Sequence, residues 1–486
     1  MLTALSPLDI CEAALNVATA GGASYADVRT VDQEDEVLSV VTGELAQATL
    51  NEDRGVGIRV IVDDAWGFSS TDSLDRESII AATERALAIA RAGSTVKVEG
   101  VRLDELAPIQ DIWCTPVLID PFSVSVEDKL ALLFQIDERL RGDDRVVRTT
   151  AMSNIRRERQ LFMTSHGSRI RQELIRTGSG FTVTAVQNGE AQVRSWPMAF
   201  GGDFKGGGWE TVVAKSMPDH AERIRDEAIE LTTAPVCPSG EFDLIIGPTQ
   251  LSLQIHESVG HPNELDRVLG HEADLAGTSF NKLKHLEGYQ YGSEIVNLVA
   301  DNTLPMGLAT AGYDDDGVPA QRWHVVQNGR FVDYFSTRET SRHVGHPSRG
   351  CNRAEGWSHM PITRIPNLSL MPGEWDFDDM VADTGTGLYM ETVKSWSIDQ
   401  QRLNFQFGCE AAREIKDGKL GRLLRNPNYQ GMTPTFWRSC DAIANHASWQ
   451  LVGVANCGKG QPGQIAEMSH GCSPARFRGV TCGVTT

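Results

Sequence analysis

The chain has 486 residues, a formal net charge of −20 and 41% hydrophobic residues, enough for two or three domains with filled cores. That charge argues against a nucleic-acid binder, which needs basic patches against phosphate, and no window approaches the roughly 20 apolar residues of a membrane-spanning helix. Nine scattered cysteines lack the dense, even pattern of a disulfide-stapled secreted domain; residues 1–7 have no basic segment, and Asp9 and Glu12 interrupt any apolar signal core, so a reducing, cytoplasmic location is expected.

Residues 6–20 have the apolar spacing of an amphipathic helix, and 25–64 alternate in short β-like runs punctuated by Gly43 and Gly55. A second helix is expected over about 74–92, a proline-bearing connector over 101–121, a third helix near 126–141 and strands over 146–186. Within those strands Ile155-Arg156-Arg157-Glu158-Arg159 reads as one solvated face. Residues 201–208 are glycine-rich but lack the Gly-Lys-Ser/Thr ending of a phosphate loop, and a mobile loop is expected there. A charged amphipathic helix near 219–232 follows, and the Pro-bearing stretch 233–240 looks like a domain boundary.

The fold expected is therefore α+β. Residues 1–235 would form an N-terminal domain of antiparallel sheets with helices, with a break near 101–121 dividing it into two subdomains. Residues 236–486 would form a β-rich C-terminal domain carrying the metal site described next. No repeat of 20–50 residues is visible.

The apolar strand Phe242-Asp243-Leu244-Ile245-Ile246 ends at Gly247-Pro248, after which Thr249 is expected to cap a helix bearing Leu251, Leu253 and Ile255. His256-Glu257-Ser258-Val259-Gly260-His261 continues from it. Two imidazoles and a carboxylate in one short window suggest a metal site with its own base, as in the H-E-x-x-H pattern, where histidines four apart share a helix face. Here they are five apart, about 140° around an ideal helix at about 100° per residue. Gly260, with its conformational freedom, and Pro262, which disfavours the α region for His261, are expected to end the helix so that His261 swings back toward His256. Two histidines and a glutamate near a helix end can equally be structural, and a catalytic zinc needs a third ligand.

Cys457, in Val454-Ala455-Asn456-Cys457-Gly458-Lys459-Gly460-Gln461, offers that ligand; a thiolate beside Lys459 and a metal would have a lowered pKa. Farther on, Met468-Ser469-His470-Gly471-Cys472 adds two rivals, His470 and Cys472, and leaves the choice of third ligand open.

Taken together, the HESVGH segment, YDDDGVPAQRWHVVQNGRFVDYFSTRETSR after it and NCGKGQ near the end resemble, in the same order, the metal-bearing branch of the TldD/PmbA peptidase family. The likeness spans most of the chain and is strongest from about Gly240 onward. It implies that His256, His261 and Cys457 bind Zn2+, and that Glu257 activates the zinc-bound water for attack on a peptide carbonyl. It further implies a related, PmbA-like subunit without the metal motif as heterodimer partner, a homodimer being the alternative, and short or unfolded peptides as substrates, with leader segments of modified peptides among them. The tail beyond Gln461 departs from the family pattern.

Other segments invite a functional reading with less support. His343-Val344-Gly345-His346-Pro347 lacks an adjacent glutamate and reads as a loop or helix end. Gly270-His271-Glu272 is a candidate partner for a metal-bound histidine, with an exposed loop as the plainer reading. Asp314-Asp315-Asp316-Gly317 lacks the alternating ligands of a calcium loop and reads as a hairpin turn, with Asn328-Gly329 a second turn in a β meander. Arg353, in a polar loop between the halves of the proposed site, is a candidate for contact with substrate or an oxyanion, or a surface arginine. Two further functions stand beside a zinc peptidase: a noncatalytic peptide-binding or regulatory module, which the intact Glu257 counts against, and a zinc hydrolase of a nonpeptide amide.

Overall fold

The computed structural model describes residues 5–272 and 277–484. Helix α1 (Pro7–Ala20), capped by Ser6, leads into strands β1 (Tyr25–Val41), β2 (Glu44–Val62) and β3 (Ala65–Thr71). The expected short runs are thus two very long strands. Gly43 lies in the tight turn between them, where Thr42 and Gly43 both have positive φ as a two-residue hairpin requires; Gly55 lies within β2. Helix α2 (Arg76–Ser94), capped by Asp75, is followed by β4 (Gln110–Cys114), α3 (Val126–Leu140), β5 (Val146–Thr164), β6 (Arg169–Gln187) and β7 (Glu190–Trp196). The glycine-rich stretch read as a mobile loop contains β8 (Asp203–Gly206), which pairs with β6. Helices α4 (Glu210–Val213) and α5 (Pro218–Leu231) complete this half.

All eight strands share one sheet with the path β3-β2-β1-β5-β6-β4, and β7 and β8 also pair with β6. Side chains alternate across a strand, and β1 uses both faces. Ala26, Val28, Leu38 and Val40 pack under the helices, the first two with α1 and α2 and the last two with α3 and α5. The opposite positions Asp27, Arg29 and Gln33 are buried polar groups, of which Arg29 and Gln33 donate to main-chain carbonyls of the second half, Gly356 and Glu355. Arg29 pairs with Asp315 at 2.5 Å, and Arg59 bridges Asp27 and Asp316 at 2.9 and 2.8 Å. The Asp314–Gly317 turn therefore serves as a docking point, closing a bridge between Tyr313 and Pro319. The arginine-rich segment of β5 is likewise not one solvated face: Arg159 is exposed, but Arg156 reaches Glu467 at 2.8 Å, and Arg157 is buried against Asp120 at 2.7 Å.

Strand β9 (Gly240–Ile246) opens the second half. It pairs in parallel with Gly387–Ile398 and antiparallel with Ala475–Val484; the path continues through Pro427–Met432 and Asn404–Lys416, which pairs back onto Gly387–Ile398 and closes a barrel. A four-stranded sheet joins Arg330–Phe331, Arg322–Gln327, Leu298–Asp301 and Leu368–Leu370, with Asn328 and Gly329 in the expected positive-φ turn. A two-stranded ribbon, Gln450–Lys459 with Gln464–Cys472, completes the region. Helix α6 (Pro248–Ile255) runs between these elements, with Leu251 and Ile255 fully buried. Its cap is Gly247, not Thr249, whose hydroxyl oxygen accepts instead from the Thr392 amide at 3.0 Å. The architecture is α+β, and among the described residues no helix is long and apolar enough to cross a membrane.

Candidate metal centre and its surroundings

The five-residue histidine spacing is solved by a change of helix type. After α6 the chain makes a π-turn over His256–Gly260, in which the His261 amide donates to the His256 carbonyl. A π-turn takes five residues per hydrogen bond, so it brings His261 back over His256, where an α-helix would not. The rings lie 4.8 Å apart between centroids. His261 stays in the α region, φ −57° and ψ −41°, despite preceding Pro262, so no swing outward is needed. Gly260 has an ordinary φ of −60°; its role is space, because a Cβ there would come within 2.7 Å of Ile365 Cδ1. The carbonyls released by the wider turn are satisfied: Ser258 accepts from the Tyr291 hydroxyl at 2.5 Å and Val259 from the Asn263 side-chain amide at 2.8 Å.

The ribbon strand Gln450–Lys459 brings Cys457 to the same point. Donor atoms of His256, His261 and Cys457 all lie within 4.8 Å of one another, and Cys457 Sγ is 3.5 Å from His261 Nε2. Zn–N bonds of about 2.0–2.1 Å and a Zn–S bond of about 2.3 Å in a tetrahedron put N and S about 3.6 Å apart, so this donor set fits a zinc ion. Such a set leaves one position of the tetrahedron open.

Each ring is held with one nitrogen toward that point. His470 Nδ1 donates to the Leu368 carbonyl at 2.9 Å, so in the neutral ring Nε2 is an acceptor; it lies 2.9 Å from His256 Nδ1, which donates to it and leaves His256 Nε2 with a lone pair. His261 Nδ1 donates to Glu264 Oε2 at 2.8 Å, and its Nε2 faces Cys457. Glu264 in turn accepts from Arg267 at 2.8 Å and lies 3.3 Å from Lys459. These partners fix the tautomers that ligation requires.

The electrostatics agree. Burial pushes the His256, His261 and His470 pKa values down, His470 well down with His256 adding to the effect. Burial alone would push the Cys457 thiol up, but the His261 imidazole, with help from Arg364, brings it below its ordinary value. Lys459 does not act on the thiol as expected: its ammonium points the other way, onto Asp266 at 2.7 Å and the Thr363 carbonyl. Burial opposes ionisation of Glu264, yet Lys459, His261 and Arg267 hold its carboxyl well below the usual range.

The rival ligands fall elsewhere. His470 supports His256 from behind. Cys472 lies with Sγ 3.7 Å from the Pro248 carbonyl at the start of α6, and burial raises its pKa well above the ordinary thiol value. Arg353 is not among the residues lining the cavity at the candidate ligands, and its guanidinium donates to the main-chain carbonyls of Glu467 and Ile365, both at 2.7 Å. His271 lines a different cavity, beside Arg59 and Trp66, and the orienting role considered for it belongs to Glu264. His343 ends a short 3-10 turn, and His346 bonds Asp333 at 2.8 Å.

Glu257, buried on the same π-turn, opens with the three candidate ligands onto a cavity of about 260 Å3. Its Oε2 accepts from Arg402 Nη1 at 2.6 Å. Neither Arg402 nor Glu264 was anticipated from the sequence. Glu264 carries a weak signal, three residues after His261, whereas Arg402 lies in a distant hairpin with none. Apolar walls come from Met198, Phe204, Leu253 and Val393, and the exposed rings of Phe200 and Trp396 meet edge to face at 5.6 Å.

Known proteins match along the length of the chain. Family models described as PmbA/TldA metallopeptidase domain 1, central domain and C-terminal domain match residues 26–90, 119–234 and 239–483. A metalloprotease of Methanocaldococcus jannaschii is 26% identical over 435 residues, 90% of this chain and 92% of that protein. A metalloprotease TldD homolog of Haemophilus influenzae is 24% identical over 467 residues, 95% of this chain and 93% of the other. The crystal structure of a putative modulator of a DNA gyrase from Thermotoga maritima superposes with a TM-score of 0.77 at 17% identity, covering 98% of this chain and 100% of that one, and shares the fold. With family models matched over most of its length, the chain belongs to the PmbA/TldD family of metallopeptidases.

Proposed function

We propose that this metallopeptidase hydrolyses short or unfolded peptides, leader segments of modified peptides among them, with His256, His261 and Cys457 as zinc ligands and Glu257 as the base. The observation that carries it is that Glu257 and the three candidate ligands line one cavity. Two imidazoles and a thiolate favour zinc over metals that prefer oxygen ligands. Bound there, the ion polarises a carbonyl and makes water more acidic. Glu257 takes the proton of the attacking water as its oxygen bonds to the carbonyl carbon, then delivers that proton to the departing amine nitrogen; amide and water become acid and amine. Arg402 holds Oε2 of Glu257 and leaves Oε1 to meet the water.

Val454, Ala455, Asn456 and Gly458 line the same cavity, on a strand that pairs with one other strand among the described residues. An extended peptide can add there through main-chain hydrogen bonds, which tolerate many sequences. A related subunit without the metal motif, or a second copy, is proposed as partner. Residues 44–54 of β2, exposed on both faces beyond the reach of β3, offer an edge for it. All nine cysteines are free, in support of a cytoplasmic location.

The test measures zinc content and hydrolysis of an unstructured peptide pool for wild type and Glu257→Gln, with and without a PmbA-like partner. Zinc in both proteins and cleavage by wild type alone is the expected result. Near wild-type cleavage by Glu257→Gln overturns the role of the base, and zinc without cleavage in any pairing overturns the peptidase reading.

A further inference from the structure

Arg402 is placed at a cost that its contact with Glu257 does not by itself explain. Its backbone has φ +63°, in the left-handed region that non-glycine residues seldom occupy. The hairpin between Gly387–Ile398 and Asn404–Lys416 enforces this. Asp399 accepts from the Arg402 amide through its carbonyl at 2.9 Å and from the Leu403 amide through its carboxylate at 2.8 Å, while the Thr433 hydroxyl donates to the Arg402 carbonyl at 2.8 Å. Strained backbone of this kind persists where surrounding structure over-determines it, and it clusters at functional sites.

The side chain is nine-tenths buried and lines the metal-site cavity, where it is the one lysine or arginine among the described lining residues. Nη1 is committed to Glu257 Oε2 at 2.6 Å. Nε is buried with no partner at all. With Nη1 alone committed among its terminal nitrogens, the guanidinium keeps Nη2 as a charged donor for a ligand in the cavity. An unpaired Nε is shared with Arg364 and does not by itself mark a site; Arg402 differs in its position, because Arg353 and Arg364 spend both terminal nitrogens on main-chain carbonyls and do not line this cavity, whereas Arg402 lines it beside Glu257.

We propose that Arg402 is a catalytic residue that donates, from Nη2, to the carbonyl oxygen of the scissile peptide bond. The inference rests on the peptidase reading above and adds a second electrophile to it. When the water oxygen bonds to the carbonyl carbon, the π pair of the C=O moves onto oxygen, and the water proton moves to Glu257. Arg402 meets that oxygen as its negative charge develops. The pair returns to re-form C=O when the C–N bond breaks and the amine nitrogen takes the proton from Glu257. One guanidinium thus holds the base by Nη1 and the oxyanion by Nη2, which fixes the distance between the two groups. Donors preorganised for an oxyanion contribute mainly in the transition state.

The experiment compares wild type with Arg402→Lys, Arg402→Gln and Arg402→Ala, each checked for zinc content and thermal unfolding. The probes are a peptide cleaved from the pool and the same peptide with a phosphinate in place of the scissile amide. Zinc content should be unchanged, kcat should fall about 10²–10³-fold in the Gln and Ala variants with KM little altered, and Arg402→Lys should recover part of the loss. Affinity for the phosphinate should fall in parallel with kcat/KM across the series, and added guanidinium should partly restore Arg402→Ala. An unchanged phosphinate affinity, or equal losses for Lys and Ala without guanidinium rescue, overturns the proposal while leaving the peptidase reading intact. Failure of wild type to cleave removes both.

Discussion

His470 Nε2 lies 2.9 Å from Nδ1 of His256, and the other nitrogen of His470 is fixed by the Leu368 carbonyl, also at 2.9 Å. One main-chain oxygen therefore sets, through two rings, which nitrogen of His256 is free for a metal. Replacing His470 with Ala should lower zinc affinity about 10–100-fold, the range for outer partners of ligating histidines, while Glu257 and Arg402 stay in place. Competition with a chromogenic chelator measures this; unchanged affinity would show that His256 needs no orienting partner.

The two cysteines make opposite predictions. Cys457→Ala removes a proposed ligand and should reduce zinc affinity by more than about 100-fold, beyond the effect of an outer partner. Cys472→Ala opens a small space at the start of α6 and should leave zinc stoichiometry intact, at a stability cost of about 1 kcal/mol. Metal analysis after dialysis separates them, and a reversed order would transfer the ligand role to Cys472.

Gly260→Ala should destabilise the fold by about 1–3 kcal/mol through overpacking, because the new Cβ falls 2.7 Å from Cδ1 of the fully buried Ile365. Ile365→Val removes that Cδ1, so the double variant should recover part of the loss. Urea unfolding of the four proteins completes the cycle. Simple addition of the two single effects would mean that the glycine is there for another reason.

Acid sensitivity is expected from Glu467. Burial opposes its ionisation, but Arg176, Arg156 and Arg353 together hold its pKa down to about 2, against an ordinary value of 4.5. A carboxylate depressed in the folded state contributes stability that is present above the unfolded pKa and is lost as pH falls from about 4.5 toward 2; the shift corresponds to about 3 kcal/mol. Glu467→Gln should therefore destabilise more at pH 7 than at pH 3 in urea unfolding. A gap between the two proteins that does not shrink on acidification would refute this linkage.

Much of the architecture was legible in residue order because its causes are local. Ser6, Asp75 and Ser125 accept from amides three residues on and start α1, α2 and α3, and Asn328-Gly329 supplies the positive φ that its hairpin turn needs. The reading of Arg156 and Arg157 as solvated failed because their partners are distant in sequence and lie on opposite faces of the strand: Glu467 of the second half for Arg156, and Asp120 with the Phe122 ring, on the helix side, for Arg157. Residues 201–208 were misread because glycines there permit close approach to neighbouring backbone: a Cβ on Gly202 would lie 2.2 Å from the Ser179 carbonyl oxygen.

The sequence by itself determined the chemistry available: two imidazoles, a carboxylate and a thiol, each a competent ligand or base, within segments that turn sharply. It also determined the hairpins and capped helices, since those depend on neighbours a few residues apart. Tertiary structure decided which groups meet. The π-turn depends on Tyr291 and Asn263 to take up the released carbonyls, so the five-residue spacing works only inside this fold. His470 and Cys472, two apart on one strand, face α6 together, and the first meets His256 while the second meets Pro248. A bulge between Val454 and Cys457 shifts the register of the facing strand, and the cysteine it carries is the one grouped with the histidines. Arg402 reaches Glu257 across 145 residues, a contact that no local pattern encodes because it is set by closure of the barrel.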